Sequence, residues 1–295
     1  LLRLHDIITH MENDKLNTMR HSLAHRMAAA IQKIWPDAKF GVGPAVKNGF
    51  FFFFYLGDTQ MSEQDFKKVE KEMRHIINQA QAFEKSSMSI DDALNWAQEN
   101  HQPYKQELLN DLKRSGTTVA KDIDPSQLGL ESSSDSAVNS VTFYTNGNFT
   151  DLCRGPHVED TSKVGAFKIE RVAGAYWRGN EKNSQMQRIY GVAFEAQEEL
   201  TQYLKMVEQA KMRDHRKLGK ELDLYTTSQL VGVGLPLFTP RGTVLRELVA
   251  QYSNQLRQRY GFEKVWSPHI TKKDLYEKSG HWAKFGDELF LVTSQ

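Results

Sequence analysis

Arg20-His21-Ser22-Leu23-Ala24-His25-Arg26-Met27-Ala28-Ala29-Ala30, taken with Asp151-Leu152-Cys153-Arg154-Gly155-Pro156-His157, decides how this chain is read. The first string lies within Asn17 to Trp35, where Met19, Leu23, Met27, Ala30, Ile31 and Ile34 recur at helical spacing until Pro36 stops the run. Residues four apart on a helix project from one face, so His21 and His25 point together. The second string holds the only cysteine, Cys153, four residues before His157. If the fold brings the Cys153 loop against the His21 face, imidazoles and a thiol converge into a polar cluster. Such a cluster can bind a metal, hold a water or carry protons. Taken singly, either pair also fits a half-buried helix and a cysteine packed as a small hydrophobe.

Composition sets outer limits. A chain of 295 residues, 39% hydrophobic and 25% charged, is long enough for two cores and ordinary for a soluble globular protein. One cysteine excludes a disulfide framework and fits a reducing cytoplasm. No apolar run approaches membrane-spanning length, so no membrane partner is expected. The chain begins without Met and without a hydrophobic signal core, which suggests a part of something larger. A net charge of +1 rules out a globally basic nucleic-acid binder, so any RNA contact must come from a local patch.

Along the chain, the apolar run Leu4 to Ile8 reads as the last strand of a small preceding domain that ends near residue 14. Lys39 to Gly57 reads as two strands meeting at Asn48-Gly49, a strong hairpin signal. Ser62-Glu63-Gln64-Asp65 caps a long helix with Phe66, Val69, Met73, Ile76 and Ile77 on its buried face. Helices follow over Asp91–Asn100 and Tyr104–Leu112, and periodicity vanishes between Lys113 and Ser140. Glu131 to Ser136 is polar enough to be a mobile surface loop. Val141–Tyr144 and Phe149–Cys153 form a hairpin across Asn146-Gly147, with more strand through Phe194. Glu195 to about Leu218 reads as one amphipathic helix, with the domain boundary just beyond it. Its basic end, Arg213, Arg216, Lys217 and Lys220, is either a solvated terminus opposing the helix dipole or a phosphate contact. Gly242–Tyr260 is a periodic helix, followed by a strand over Phe262–Ser267.

The strings at Arg20–Ala30 and Asp151–His157 resemble the editing domain shared by threonyl- and alanyl-tRNA synthetases. Cys153-Arg154-Gly155-Pro156-His157, Gly174-Ala175-Tyr176-Trp177-Arg178-Gly179 and Gln187-Arg188-Ile189-Tyr190-Gly191 resemble the threonyl form, as do Gly280-His281-Trp282 and Leu224-Tyr225. The resemblance implies an α+β fold: a two-layer threonyl/alanyl-type editing domain over 15-194, a linker helix over 195-220, and over 221-295 the start of a class II synthetase antiparallel-sheet domain. Residues 1-14 would be the tail of a small N-terminal domain. In that family the helix, strand and Pro268 form the first class II signature, which supports a homodimer.

The same resemblance implies function. The full enzyme ligates threonine to its tRNA with ATP and Mg2+ and holds a catalytic Zn2+. Neither the ATP-binding signatures nor that zinc's ligands are found before Gln295, so this chain is expected to edit at most and not to aminoacylate. One missing methyl in a pocket is worth only about 1 to 3 kcal/mol, so serine must be rejected a second time, by hydrolysis of seryl-tRNA. The editing residues carried over are His21, His25, Cys153 and His157, with Asp151 and Lys105 in support. Tyr104-Lys105 matches a Tyr-Lys pair of the family, and Lys105 would hold the terminal ribose or phosphate. Zinc suits the two His, Cys and further His, and alanyl relatives use that set for it, whereas threonyl editing is generally metal-independent. The sequence reads Asn48-Gly49-Phe50-Phe51-Phe52-Phe53-Phe54 where Asn-Gly-Phe-Tyr-Tyr-Asp is usual in the family, so a hydroxyl and a carboxylate are lost together and Phe52 falls on a pocket tyrosine. Five successive Phe also expose apolar surface unless both strand faces are covered. Three classes therefore stand: a cytoplasmic synthetase fragment, a freestanding hydrolase of mischarged tRNA, and a non-enzymatic tRNA-binding module. Residues 221-295 favour the first over the second, and intact histidines disfavour the third.

Overall fold

The computed structural model describes residues 4–115, 139–232 and 234–292. The polar stretch Glu131 to Ser136 lies outside them. The chain divides into two compact units, Leu1–Glu208 and Gln209–Gln295.

The first unit is built on helix α1 (Leu4–Ile34). No Gly or Pro interrupts it, and Leu4, Ile7 and Ile8 have helical as well as strand spacing, so the helix continues back through the run expected to be a strand. From Ser22 to Ile31 every residue is buried, which marks a helix enclosed on all sides rather than an amphipathic one. A five-stranded antiparallel sheet lies beneath it, with β1 (Lys39–Phe40), β3 (Gly49–Tyr55), β8 (Gln185–Phe194) and β7 (Ala166–Tyr176) in that order, and β2 (Ala45–Val46) also paired to β3. Asn48 takes φ 65° in the β2–β3 turn, as its Asn-Gly signal requires. Helix α2 (Glu63–Asn78) packs beside α1, and the Asp65 carboxylate accepts from the Ser62 amide at 2.9 Å, as the capping pattern predicts.

The run of five Phe is covered on both faces. Phe50, Phe52 and Phe54 join Leu23, Met27, Ile31 and Met73 in the main core. Phe51 and Phe53 face the other way, against Tyr104, Leu108, Trp177 and Met186. With both faces buried, the strand needs no polar alternation, and each Phe contributes roughly 2 kcal/mol of burial.

A second antiparallel sheet, β4 (Glu84–Ser89), β5 (Ser140–Asn146) and β6 (Phe149–Leu152), packs on α3 (Ile90–Glu99) and α4 (Pro103–Ser115) through Ala93, Ala97, Leu109, Val141 and Phe143. The expected hairpin across Asn146-Gly147 is present, with Gly147 at φ 57°.

The single helix expected over 195–218 is broken. It runs Gln197–Met212, and Asp214 then accepts from the Arg216 amide at 2.8 Å to cap a new helix, His215–Glu221. In the second unit, Thr239 caps the helix Pro240–Arg259 beside a two-stranded ribbon, β9 (Tyr225–Thr226) with β10 (Leu237–Phe238). Its apolar face, Val244, Leu245, Leu248 and Tyr252, is exposed. The strand expected over Phe262–Ser267 has no ladder partner among the described residues, and its backbone is irregular there. The fold is mixed α+β with antiparallel sheets.

Candidate active site

The Cys153 loop is pinned to β5. The Cys153 amide donates to the Thr142 carbonyl at 3.0 Å, and the Thr142 hydroxyl donates to the Cys153 carbonyl at 2.6 Å. Gly155, at φ 72° and packed against Tyr144, has no room for a side chain, and its amide donates to Cys153 Sγ at 3.2 Å. The turn so made aims the thiol at α1. Cys153 Sγ lies 3.4 Å from His21 Nε2 and 3.3 Å from His157 Nε2. His25 completes the group, its ring centre 5.0 Å from His21 and 4.5 Å from His157. One donor atom from each of the four falls within 4.8 Å of every other.

Each imidazole has an outer partner. His25 Nδ1 stands 3.8 Å from Asp151 Oδ2, and Lys105 Nζ donates to Asp151 Oδ1 at 2.6 Å. The Pro156 carbonyl lies near the His21 ring and partly opposes the effect of burial on it. Ser22 Oγ donates to the Thr18 carbonyl at 2.8 Å and accepts from the Val158 amide at 3.0 Å. Its one proton is thus spent, so His157 Nδ1, 3.1 Å away, donates to it and His157 Nε2 presents a lone pair to Cys153. His157 is further fixed by a parallel stack on Phe83 at 4.6 Å and by the edge of Tyr144.

Burial governs protonation. It lowers His21 to about 4 and His157 to about 2, and holds His25 well below its ordinary value, so all three are neutral at pH 7. Burial also raises Asp151, against the opposing pull of Lys105. The same cause pushes Cys153 up to about 12, so it is a thiol rather than a thiolate. Iodoacetamide at pH 8 should therefore alkylate Cys153 about a thousandfold more slowly than an ordinary thiol, read by intact-mass spectrometry. Alkylation at the rate of free glutathione would show that the thiol is not shielded in this way.

A cavity of about 180 Å³ reaches the cluster between Cys153, Lys105, Arg154 and Thr142, with Val42 and Leu108 on its apolar side. The donor chemistry also fits a metal. Tetrahedral zinc needs donors roughly 3.4 Å apart, given Zn–N near 2.0 Å and Zn–S near 2.3 Å. The two thiol–imidazole separations meet that, and the widest pair would close by about 1 Å. The carboxylate, hydroxyl and carbonyl behind the rings are what orienting groups at metal sites look like.

Residues 141–190, which carry Cys153 and His157, match the family model described as "Threonyl and Alanyl tRNA synthetase second additional domain". A threonine–tRNA ligase of Cytophaga hutchinsonii is 42% identical over 96% of this chain and 40% of its own length. Those of Staphylococcus epidermidis and Gloeobacter violaceus are 40% and 39% identical, over 97% and 98% of this chain. The chain is a homologue of the threonine–tRNA ligases. It spans about 40% of the length of these relatives and includes their second additional domain.

All six expected residues, His21, His25, Asp151, Cys153, His157 and Lys105, meet in one place. Of the four basic residues expected at an RNA contact, Arg213, Arg216, Lys217 and Lys220, two are paired with acids. Arg216 is held in a two-pronged pair by Asp214, and Lys217 lies 3.9 Å from Glu221. Sequence reasoning missed Ser22, Phe83, Tyr144 and Arg26. Ser22 and Arg26 sit beside the conspicuous His21 and His25 in a helix with many polar residues, so nothing set them apart, and nothing in the sequence marked Phe83 or Tyr144 as site residues. Arg26 is fully buried over the Phe83 ring at 4.6 Å, and among the described residues none of its nitrogens has a hydrogen-bond partner.

Proposed function

We propose that this chain is the editing portion of a threonine–tRNA ligase, and that the four-residue cluster hydrolyses the ester of serine mischarged onto the threonine tRNA. The observation that carries the reading is the convergence of His21, His25, Cys153 and His157 within 4.8 Å, with the buried Lys105–Asp151 pair behind them. Ester hydrolysis needs a placed water, a proton acceptor and donors for the developing oxyanion. Neutral imidazoles supply the acceptor, and one of them orients the water. The Cys153 thiol and His157 frame the carbonyl. The ribose enters by the cavity at Lys105 and Cys153. A zinc held by the same four side chains would supply a more acidic bound water. Identity extending over residues 221-295 favours a ligase portion over a freestanding hydrolase, since the latter needs no such segment.

The test is single-turnover deacylation by the purified chain. Seryl-tRNA should be hydrolysed faster than threonyl-tRNA on the same RNA. Equal rates on both, or none above buffer, would overturn the reading.

Phe52 bears on efficiency. Its ring is buried beside His25 at 6.0 Å, with Lys105 Nζ 5.7 Å from its centre. Phe52→Tyr returns a hydroxyl to that corner and should raise deacylation about fivefold, the worth of one hydrogen bond of about 1 kcal/mol. An unchanged rate at matched RNA occupancy would make the hydroxyl irrelevant.

A further inference from the structure

We infer that the face of the five-stranded sheet turned away from α1 is a phosphate-binding platform for an RNA strand. On that face the edge strand β7 carries Lys168, Arg171, Ala173 and Ala175, and its inner neighbour β8 carries Tyr190 and Arg188 together with the buried Val192 and Met186. None is acidic. Arg171 lies directly across from Tyr190, its guanidinium 3.7 Å from the ring centre, and Arg188 approaches the same ring at 5.0 Å. Arg188 also sits 5.3 Å from Phe51 and 5.4 Å from Phe53. Neither guanidinium has a carboxylate partner among the described residues, and Arg188 Nε is buried against the rings without a hydrogen-bond partner.

A structural arginine on a half-buried sheet is expected to meet an acid, as Arg178 meets Glu107 and Asp111 nearby. Here the rings replace the acid. Stacking fixes two planar forks without consuming their donors, so little rotamer freedom remains to be lost when an anion arrives. Paired forks on one ring match successive phosphates of a nucleic-acid strand, and Lys168, exposed on the same face, extends the positive charge. Such contacts carry affinity without sequence specificity, which suits a domain that must hold its RNA while the ester is tested. The choice of RNA over another polyanion rests on the proposed function.

The experiment is anisotropy titration of a labelled, deacylated tRNA with the whole chain at several salt concentrations. Arg171→Gln and Arg188→Gln should each weaken binding about fivefold. The double variant should lower the slope of log affinity against log salt by about two. Arg171→Lys, which keeps charge but loses the fork, should fall between. Lys71→Gln, an exposed cation on α2 over the other face, should change nothing. An affinity and slope for the double variant equal to wild type would overturn the inference, as would an equal loss in Lys71→Gln. Inorganic phosphate competing at concentrations comparable to the tRNA would show a free-anion site instead and overturn it too. Deacylation of a short seryl-CCA fragment, too small to reach the platform, should be unaffected in the double variant. Failure of that hydrolysis in the wild type would sink the proposed function and leave the binding result standing.

Discussion

Lys105→Met should destabilise the first unit by about 3 to 5 kcal/mol, whereas Lys105→Met combined with Asp151→Leu should recover most of that loss. Lys105 and Asp151 are 2% and 3% exposed, with 2.6 Å between Nζ and Oδ1. Two charges withdrawn from water are costly, and the direct bond offsets that cost only while both remain. Removing the cation strands a carboxylate in the core, where burial already pushes its pKa up. It must then take a proton or draw in water, and either loosens the floor of the His25 ring. Removing both leaves an apolar pair of similar volume. Urea denaturation followed by fluorescence of a variant that keeps only Trp177 of the five tryptophans measures this, because Trp177 packs on the sheet near α4. A single variant costing under 1 kcal/mol would mean the pair is hydrated and the site less sealed than its geometry indicates. Deacylation should stay lost in the double variant even with the fold restored, which separates the pair's structural role from its chemical one.

What the sequence revealed and what it hid follow from the range of each interaction. Helical spacing made α1 legible and placed His21 and His25 on one face, since that is a property of a few consecutive residues. The hairpins at Asn48-Gly49 and Asn146-Gly147 were legible for the same reason: the turn's chemistry is local. The Leu4–Ile8 run was misread because its apolar spacing satisfies both periods, and the absence of any breaker up to Ile34 decided for helix. The break at Asp214 was missed because basic residues on both sides read as one continuous face, while the cap is a single side-chain bond. The five Phe defied a pattern reading, because only tertiary structure tells which layer covers Phe51 and Phe53. The site itself was legible only through resemblance. No spacing rule brings residue 153 to residue 21; the pleat of β6, the Thr142 anchors and the Gly155 turn do. Ser22, which fixes the tautomer of His157, lay hidden between two conspicuous neighbours.

His157→Ala should lower seryl-tRNA deacylation by about a hundredfold or more, the usual weight of a placed acid–base group, with only a modest effect on stability. The ring is neutral in the folded chain, so its removal strands no charge. The wild-type rate should moreover hold as the pH falls from 7 to about 5 and drop only as it nears 4, where His21 takes up a proton. The sign follows from the direction of the shift. Burial depresses these imidazoles, so the neutral, proton-accepting form persists to lower pH than in water. Stability moves differently. The unfolded chain binds protons from pH 6.5 downward while the folded cluster refuses them, so stability is whole above 6.5 and erodes toward 4, by about 3 kcal/mol for His21 alone. Rates must therefore be taken with circular dichroism at each pH, so that loss of fold is not read as loss of catalysis. A rate that halves near pH 6.5 in a still-folded chain would show solvated histidines, and the sealed, neutral cluster would not be the working form of the site.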